Sequence, residues 1–368
     1  MKKKKFRKFK IFIFLIILIV ITIGILLCKS IEKKDNNQKT ETKEKVTKQK
    51  DKKLSLVMVG DVLIHESVYK DALQGDNTYD FTKMFTEIKP TIQKYDLKYC
   101  NQESTIGGKE LGISGYPAFN APDEIGDAII DTGFNLIGLA NNHAFDKGEK
   151  AIKYSINYWK NKDVVTSGSY ESLEERNKIK IYEKNKVKYA FLSYTTSING
   201  NNLSQDQQYL VDVYDKEKVR KDVENIKDKV DVILVAMHWG DEYTNTPTNS
   251  QREIAQYLSS LGVNLIIGTH PHVVQPIEYV NDTLVIYSLG NFISNQLIIS
   301  LNSGIGLLVG IDINIKDNKV DFDIKEKELI YAYSNNSKDF KVIPFSKLND
   351  NILKDYKKIE KQYLDIVN

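Results

Sequence analysis

The hydrophobic pattern divides the chain at once. Ile11 to Cys28 is apolar without a charge, and Ser30 to Lys53 is almost entirely Lys, Glu, Asp, Asn, Gln and Thr. The apolar run is eighteen residues long, which makes about 27 Å of helix, close to the ~30 Å hydrocarbon core of a bilayer. It predicts a transmembrane helix over 11–28. The basic flank 1–10, MKKKKFRKFK, predicts a cytoplasmic N-terminus and an extracellular C-terminal domain. A cleaved signal peptide wants a shorter apolar region ended by small residues. Here the run ends Ile25-Leu26-Leu27-Cys28-Lys29, so an uncleaved signal anchor is expected over a cleaved or lipidated form. Residues 29–53 cannot bury enough apolar surface to fold and are expected to be a disordered polar linker.

From Leu54 the pattern alternates short apolar runs with amphipathic stretches, the mark of a layered α/β domain. Strands are predicted over Leu54–Gly60, Asp96–Asn101, Asn135–Leu139, Val187–Ser193, Asp231–Met237 and Val263–Gly268. Helices are predicted over PDEIGDAIIDTGF (Pro122 in its first turn, Gly133 as its stop), Gly148–Lys160, Lys216–Lys229 and Asn249–Leu261. Ile277–Val280 and Thr283–Ser288 read as a hairpin, and Gly304–Lys316 with Lys319–Glu328 as a late antiparallel pair. The domain is placed at 54–335, with 336–368 a charge-rich helical extension.

Charge sharpens the division. Residues 1–53 hold 17 Lys/Arg against 5 Asp/Glu, which leaves 35 against 44 for the remainder. A basic stem suits anionic headgroups. The acidic domain argues against nucleic acid as a partner. Cys28 and Cys100 are the two cysteines, too few for a disulfide framework.

The candidate chemistry lies where apolar runs end. His65 follows LSLVMVGDVLI, His143 sits in FNLIGLANNHAFD, His238 follows VDVILVAM, and His270 and His272 close VNLIIGTHPH. These are the five histidines of the chain, and ligand sites of open α/β sheets lie at the carboxyl ends of the strands. Asp61 in GDVLIH, Asn101 and Glu103 in NQESTIGG, Asn141, Asn142 and Asp146 in ANNHAFDKG, and Asp241 and Glu242 after His238 share those positions. Carboxylate, imidazole and amide oxygen together suit Mn, Zn, Fe or Mg. Each residue alone has a structural alternative. Asp61 could cap a turn, Asp146 could open a helix, Asp241 and Glu242 could be solvated, and Gly290-Asn291 in YSLGNFI could be a turn.

At these residues the chain resembles the capsule synthesis protein CapA family, also called the poly-γ-glutamate biosynthesis proteins. The marks are GD at 60–61, N-x-E at 101–103, ANNH-x-x-D-x-G at 140–148, HWG at 238–240, HPH-x-x-Q at 270–275 and SLGNF at 288–292. The resemblance implies a metallophosphoesterase-like (calcineurin-like) fold with α-β-β-α layers and a centre for one or two divalent ions. It implies Asp61, Glu103, Asn142, His238, His270 and His272 as metal ligands, with His143, and Asp146 beside it, in the catalytic role. Three departures stand out, the first being that the acid expected directly after Asn-His is delayed to Asp146. Three residues separate Asp61 from His65 where Asp-x-His is usual, which makes His65 a doubtful ligand. Glu103 replaces an Asp and lengthens that arm by one methylene. The function implied is synthesis, export or attachment of an anionic capsule polymer of poly-γ-glutamate type, with membrane-bound synthase subunits as partners. A metal-dependent phosphoesterase or amide hydrolase and a non-catalytic polymer-binding scaffold are the alternatives.

Overall fold

A computed structural model describes residues 2–41, 51–296 and 299–368. The described residues form two units, one before Asp51 and one over Asp51–Asn368.

The first unit is a single helix, Lys2–Glu41. Its stretch Phe9–Ile31 is long and apolar enough to cross a membrane. The helix runs on past Cys28 into the segment expected to be unstructured. Lys, Glu and Gln are good helix formers, and adding turns to an existing helix avoids the cost of nucleation. Residues 42–50 of that expected tether lie outside the described residues.

The second unit is built on fourteen strands: β1 (Lys52–Val62), β2 (Leu97–Asn101), β3 (Leu136–Gly138), β4 (Val165–Ser167), β5 (Tyr182–Lys184), β6 (Val187–Thr195), β7 (Val232–His238), β8 (Leu265–Thr269), β9 (Ile277–Val280), β10 (Thr283–Ile286), β11 (Asn291–Ile293), β12 (Ile305–Lys316), β13 (Lys319–Tyr333) and β14 (Lys341–Pro344). One sheet has the order β14-β13-β12-β1-β2-β3-β4, with β11 pairing in parallel beside the end of β1. The other has the order β5-β6-β7-β8-β10-β9. Strands β1 to β4 run parallel, as do β6, β7, β8 and β10.

The period of two along β1 sets the layers. Leu54, Leu56 and Met58 pack inward with Tyr99 and Leu136 against Phe191, Leu234 and Ile267 of the second sheet. Val57 and Val59 face the other way, with Ile125 and Ile129 of the helix Asp123–Thr132. On the far face of the second sheet, Ile233 and Val235 meet Val219 and Val223 of Lys216–Ile226 and Ile254 and Leu258 of Asn249–Leu261. The result is the expected order of helix, sheet, sheet, helix. Strands buried on both faces read as unbroken apolar runs.

Helices Gly148–Lys160 and Asn249–Leu261 have the expected bounds. The second carries a Thr248–Gln251 capping box and stops at Gly262. The short elements β4, β5, β11, β14 and the helix Glu66–Ala72 are too brief to show a period. The end of the chain differs most from expectation. Residues 336–368 supply the edge strand β14, and the helix begins only at Tyr356. Its Tyr363 and Val367 complete the core between the sheets, so the domain does not stop at 335.

Candidate metal centre

Parallel strands bring their carboxyl ends to one edge, and both sheets do so here. Asp61 on β1 pairs in register with Asn101, the last residue of β2. His238 closes β7 in register with Thr195 and Thr269. Gly60 permits the close approach beside Asp61, since a Cβ there would meet the Gly290 carbonyl oxygen at 1.7 Å. Asp61 N–H donates to that same carbonyl at 3.0 Å.

After β8 the chain turns through His270 (φ 98°) and His272 (φ 59°). Left-handed backbone is uncommon for residues other than glycine and persists where the surroundings hold it. The His270 N–H donates to Asp61 Oδ2 at 3.2 Å. His270 Nδ1 lies 3.1 Å from His238 Nε2. His272 Nδ1 lies 3.0 Å from Asn291 Oδ1 and 3.4 Å from Asp61 Oδ2.

Two groups of side chains are compact enough to hold an ion: Glu103, His238 and His270, and Asp61, Glu103 and His272. Within each, the ligand atoms lie within 4.8 Å of one another. Glu103 belongs to both. It is fully buried, and among the described residues neither of its carboxylate oxygens has a hydrogen-bond partner. Its Oε1 faces His238 Nε2 at 3.4 Å and His272 Nε2 at 3.8 Å, and a buried carboxylate without hydrogen bonds is costly. The carboxylate and imidazole donors gathered around Glu103 would suit a divalent cation, so these residues fit a metal.

Electrostatics follows from burial. Burial, then the Asp61 charge, pushes the Glu103 carboxyl up to about 8. Burial holds His238 and His270 neutral, down to about 3, and neutral imidazole is the ligating form. Burial opposes charge on Asp61 too, but the His272 hydrogen bond and the nearby imidazoles hold it below its usual value. His272 moves the other way, up to about 9, because the Glu103 charge and the Asp61 hydrogen bond outweigh burial.

Asn142 joins the cluster, with its Oδ1 2.9 Å from His238 Nε2. His143 stands beside it. Its Nδ1 lies 2.7 Å from Asp146 Oδ2, which also accepts the Phe119 N–H at 2.8 Å. Asp146 thus accepts the proton on Nδ1, so that Nε2 is the nitrogen that gains or loses a proton. Burial opposes charge on His143, but Asp146 and Glu103 raise it above its ordinary value.

His65 stays out of both groups. Its Nδ1 accepts the Asn295 N–H at 3.2 Å, and burial pushes it down to about 4. Asp241 and Glu242 are exposed. Asn101 and Asn291 act as supports: Asn101 Nδ2 donates to Asp61 Oδ1 at 2.7 Å, and Asn291 orients His272. Asn199, whose amide lies 3.3 Å from His143 Nδ1 and accepts from Asn142 at 3.2 Å, has no sequence signal. It lies on a loop far along the chain from ANNH. Tyr243, 6.1 Å from the His272 ring, is equally unmarked. A cleft of about 760 Å³ opens over His143, Asn142 and His272.

The capsule biosynthesis protein CapA of Bacillus anthracis is 28% identical over 273 residues, 70% of this chain and 64% of the relative. The PGA biosynthesis protein CapA of Bacillus subtilis is 29% identical over 262 residues, 68% of this chain and 66% of the relative. The chain thus spans just under two thirds of each relative's length. Among solved structures, the calcineurin-like phosphoesterase YfkN of Bacillus subtilis aligns with 86% of this chain and 98% of its own, at 15% identity and a TM-score of 0.47. The model of the family described as bacterial capsule synthesis protein PGA_cap matches residues 55–296, which includes every residue of the candidate metal centre, and the chain belongs to that family.

Proposed function

We propose that this chain is a membrane-anchored, outward-facing component of capsule production that acts on a poly-γ-glutamate-type polymer or its precursor through a divalent-metal centre. The observation that carries the reading is Glu103, buried and common to both candidate groups, with no hydrogen-bond partner on either oxygen among the described residues. Asp61, Glu103, Asn142, His238, His270 and His272 would hold one or two ions, and the mixed oxygen and imidazole set suits Mn, Zn, Fe or Mg. Bound ions of this kind polarise an ester or amide oxygen and lower the pKa of a water. His143, with Nδ1 engaged by Asp146, keeps Nε2 to hand a proton to a departing group. The basic residues ahead of the apolar helix favour an inside N-terminus. The polymer and membrane-bound synthase subunits are the proposed partners, and nucleic acid is not among them.

The His143–Asp146 pair supports a second reading, a metal-dependent phosphoester or amide hydrolase at the cell surface. The test is the metal content of the full-length protein in detergent, beside its His238→Ala/His272→Ala variant. About one to two equivalents of ion per chain, lost in the variant, is the expected result. Wild type that takes up no Mn, Zn, Fe or Mg after loading would overturn the metal reading and leave a polymer-binding scaffold.

A further inference from the structure

His65 is the histidine that the metal centre leaves unused, and its ring is nonetheless held in one state. The Asn295 N–H donates to Nδ1 at 3.2 Å. The Leu63 carbonyl lies 3.3 Å from the same nitrogen, but it already accepts the His65 backbone N–H at 3.2 Å. A backbone N–H can only donate, so the nitrogen that faces it is the bare one. A neutral imidazole with a bare Nδ1 carries its proton on Nε2.

That second nitrogen is free. Among the described residues Nε2 has no hydrogen-bond partner, and it is not one of the buried unpartnered atoms. His65 lines the cleft over Asn142, His143 and His272, so Nε2–H is a donor open to that cleft. Phe119 fixes its place. The ring of Phe119 meets His65 edge-on at 5.3 Å and His143 at 4.7 Å. The donor therefore stands one ring away from the residue that would hand a proton to a departing group.

Other polar groups of the cleft are already engaged. Asp146 accepts from His143 and from the Phe119 N–H. The Asn199 oxygen accepts from Asn142. The Gln296 amide donates to the Tyr243 hydroxyl and accepts from Asn291. Glu242 is exposed and can only accept when ionised. A neutral, pre-oriented N–H among apolar walls is the kind of group that fixes a ligand's orientation. It recognises an oxygen acceptor, and a γ-peptide chain offers one amide carbonyl in every repeat.

We propose that His65 is a substrate-recognition residue, whose Nε2–H donates to an amide carbonyl oxygen of the γ-peptide chain beside the bond handled at the centre. The inference rests on the proposed function for its substrate but not for the state of the His65 ring.

The experiment is calorimetric titration of the full-length protein in detergent with a γ-glutamate tetramer, for wild type, His65→Asn and His65→Gln, with metal content and thermal unfolding measured on the same samples. The Asn amide reaches the Nδ1 position, keeps an acceptor for Asn295 and has no donor at Nε2. The Gln amide nitrogen reaches the Nε2 position. His65 is only partly buried, so both variants are expected to unfold cooperatively. The expected result is that His65→Asn binds the tetramer about tenfold more weakly than wild type, as loss of one hydrogen bond implies. His65→Gln recovers most of the affinity, and all three proteins hold the same metal. Equal binding by wild type and His65→Asn, no recovery in His65→Gln, or affinity lost together with metal would each overturn the inference and leave the proposed function standing. Wild type that takes up metal and binds no γ-glutamate tetramer would overturn the inference and, with it, the choice of polymer.

Discussion

Asn291 shows how much of the centre rests on residues that touch no ion. Its Oδ1 faces His272 Nδ1 at 3.0 Å, while its Nδ2 donates to Gln296 Oε1 at 2.9 Å and to the Ser303 carbonyl at 2.8 Å. The amide is therefore held in one orientation and presents its oxygen to the imidazole. Outer partners of this kind fix the tautomer and angle of a ligand. Asn291→Ala is expected to weaken metal affinity about 10- to 100-fold while the protein still unfolds cooperatively. Competition against a metal-sensing dye reads the first, and circular dichroism the second. Sequence alone leaves Asn291 open between turn and contact. Its partner His272 is nineteen positions away, and only the pairing of β11 with β1 carries it to the centre.

At the scale of elements, the opposite end of the first sheet is clamped by Asp96. Its carboxylate accepts the Ser55 N–H at 3.0 Å and the Ser55 hydroxyl at 2.8 Å, and its carbonyl accepts from Asn135 at 3.0 Å. One residue thus ties the starts of β1, β2 and β3. Burial opposes ionisation of Asp96, but the Ser55 donors hold it below the usual carboxylate range. A depressed folded pKa contributes stability that is present above the unfolded value of about 3.9 and is lost as pH falls through the folded value. Asp96→Asn is therefore expected to cost about 1 kcal/mol near neutral pH, at the low end for a charged hydrogen bond because the site is partly solvated. The gap to wild type should close in acid. Urea unfolding at pH 7 and pH 3 measures both.

For the whole molecule, the centre sits where two sheets and several loops meet, so an ion there holds separate elements together. Ligand present at about 100 times its Kd adds about 2.7 kcal/mol to the folded state. Chelation is expected to lower the Tm of wild type and to leave His238→Ala unchanged. Thermal unfolding with and without EDTA checks this. An equal response in both would mean that the centre contributes nothing to stability through a bound ion.

The local pattern by itself determined the apolar span, the α/β class, the helices Gly148–Lys160 and Asn249–Leu261, and the placement of every histidine after an apolar run. These follow from short-range effects: periodicity, capping and the demand that a strand buried on both faces be apolar. Only the tertiary structure decided which of those histidines share a site. His65 follows a strand as the others do, yet its Nδ1 accepts from Asn295 and stays apart. Glu103 was marked in the sequence by N-x-E, but only the fold placed it within reach of both groups, with no hydrogen-bond partner on either oxygen among the described residues. Residues 336–368 read as an appendage, yet Tyr363 and Val367 close the core. Convergence, desolvation and burial depend on which elements meet in space, and no window along the chain contains them.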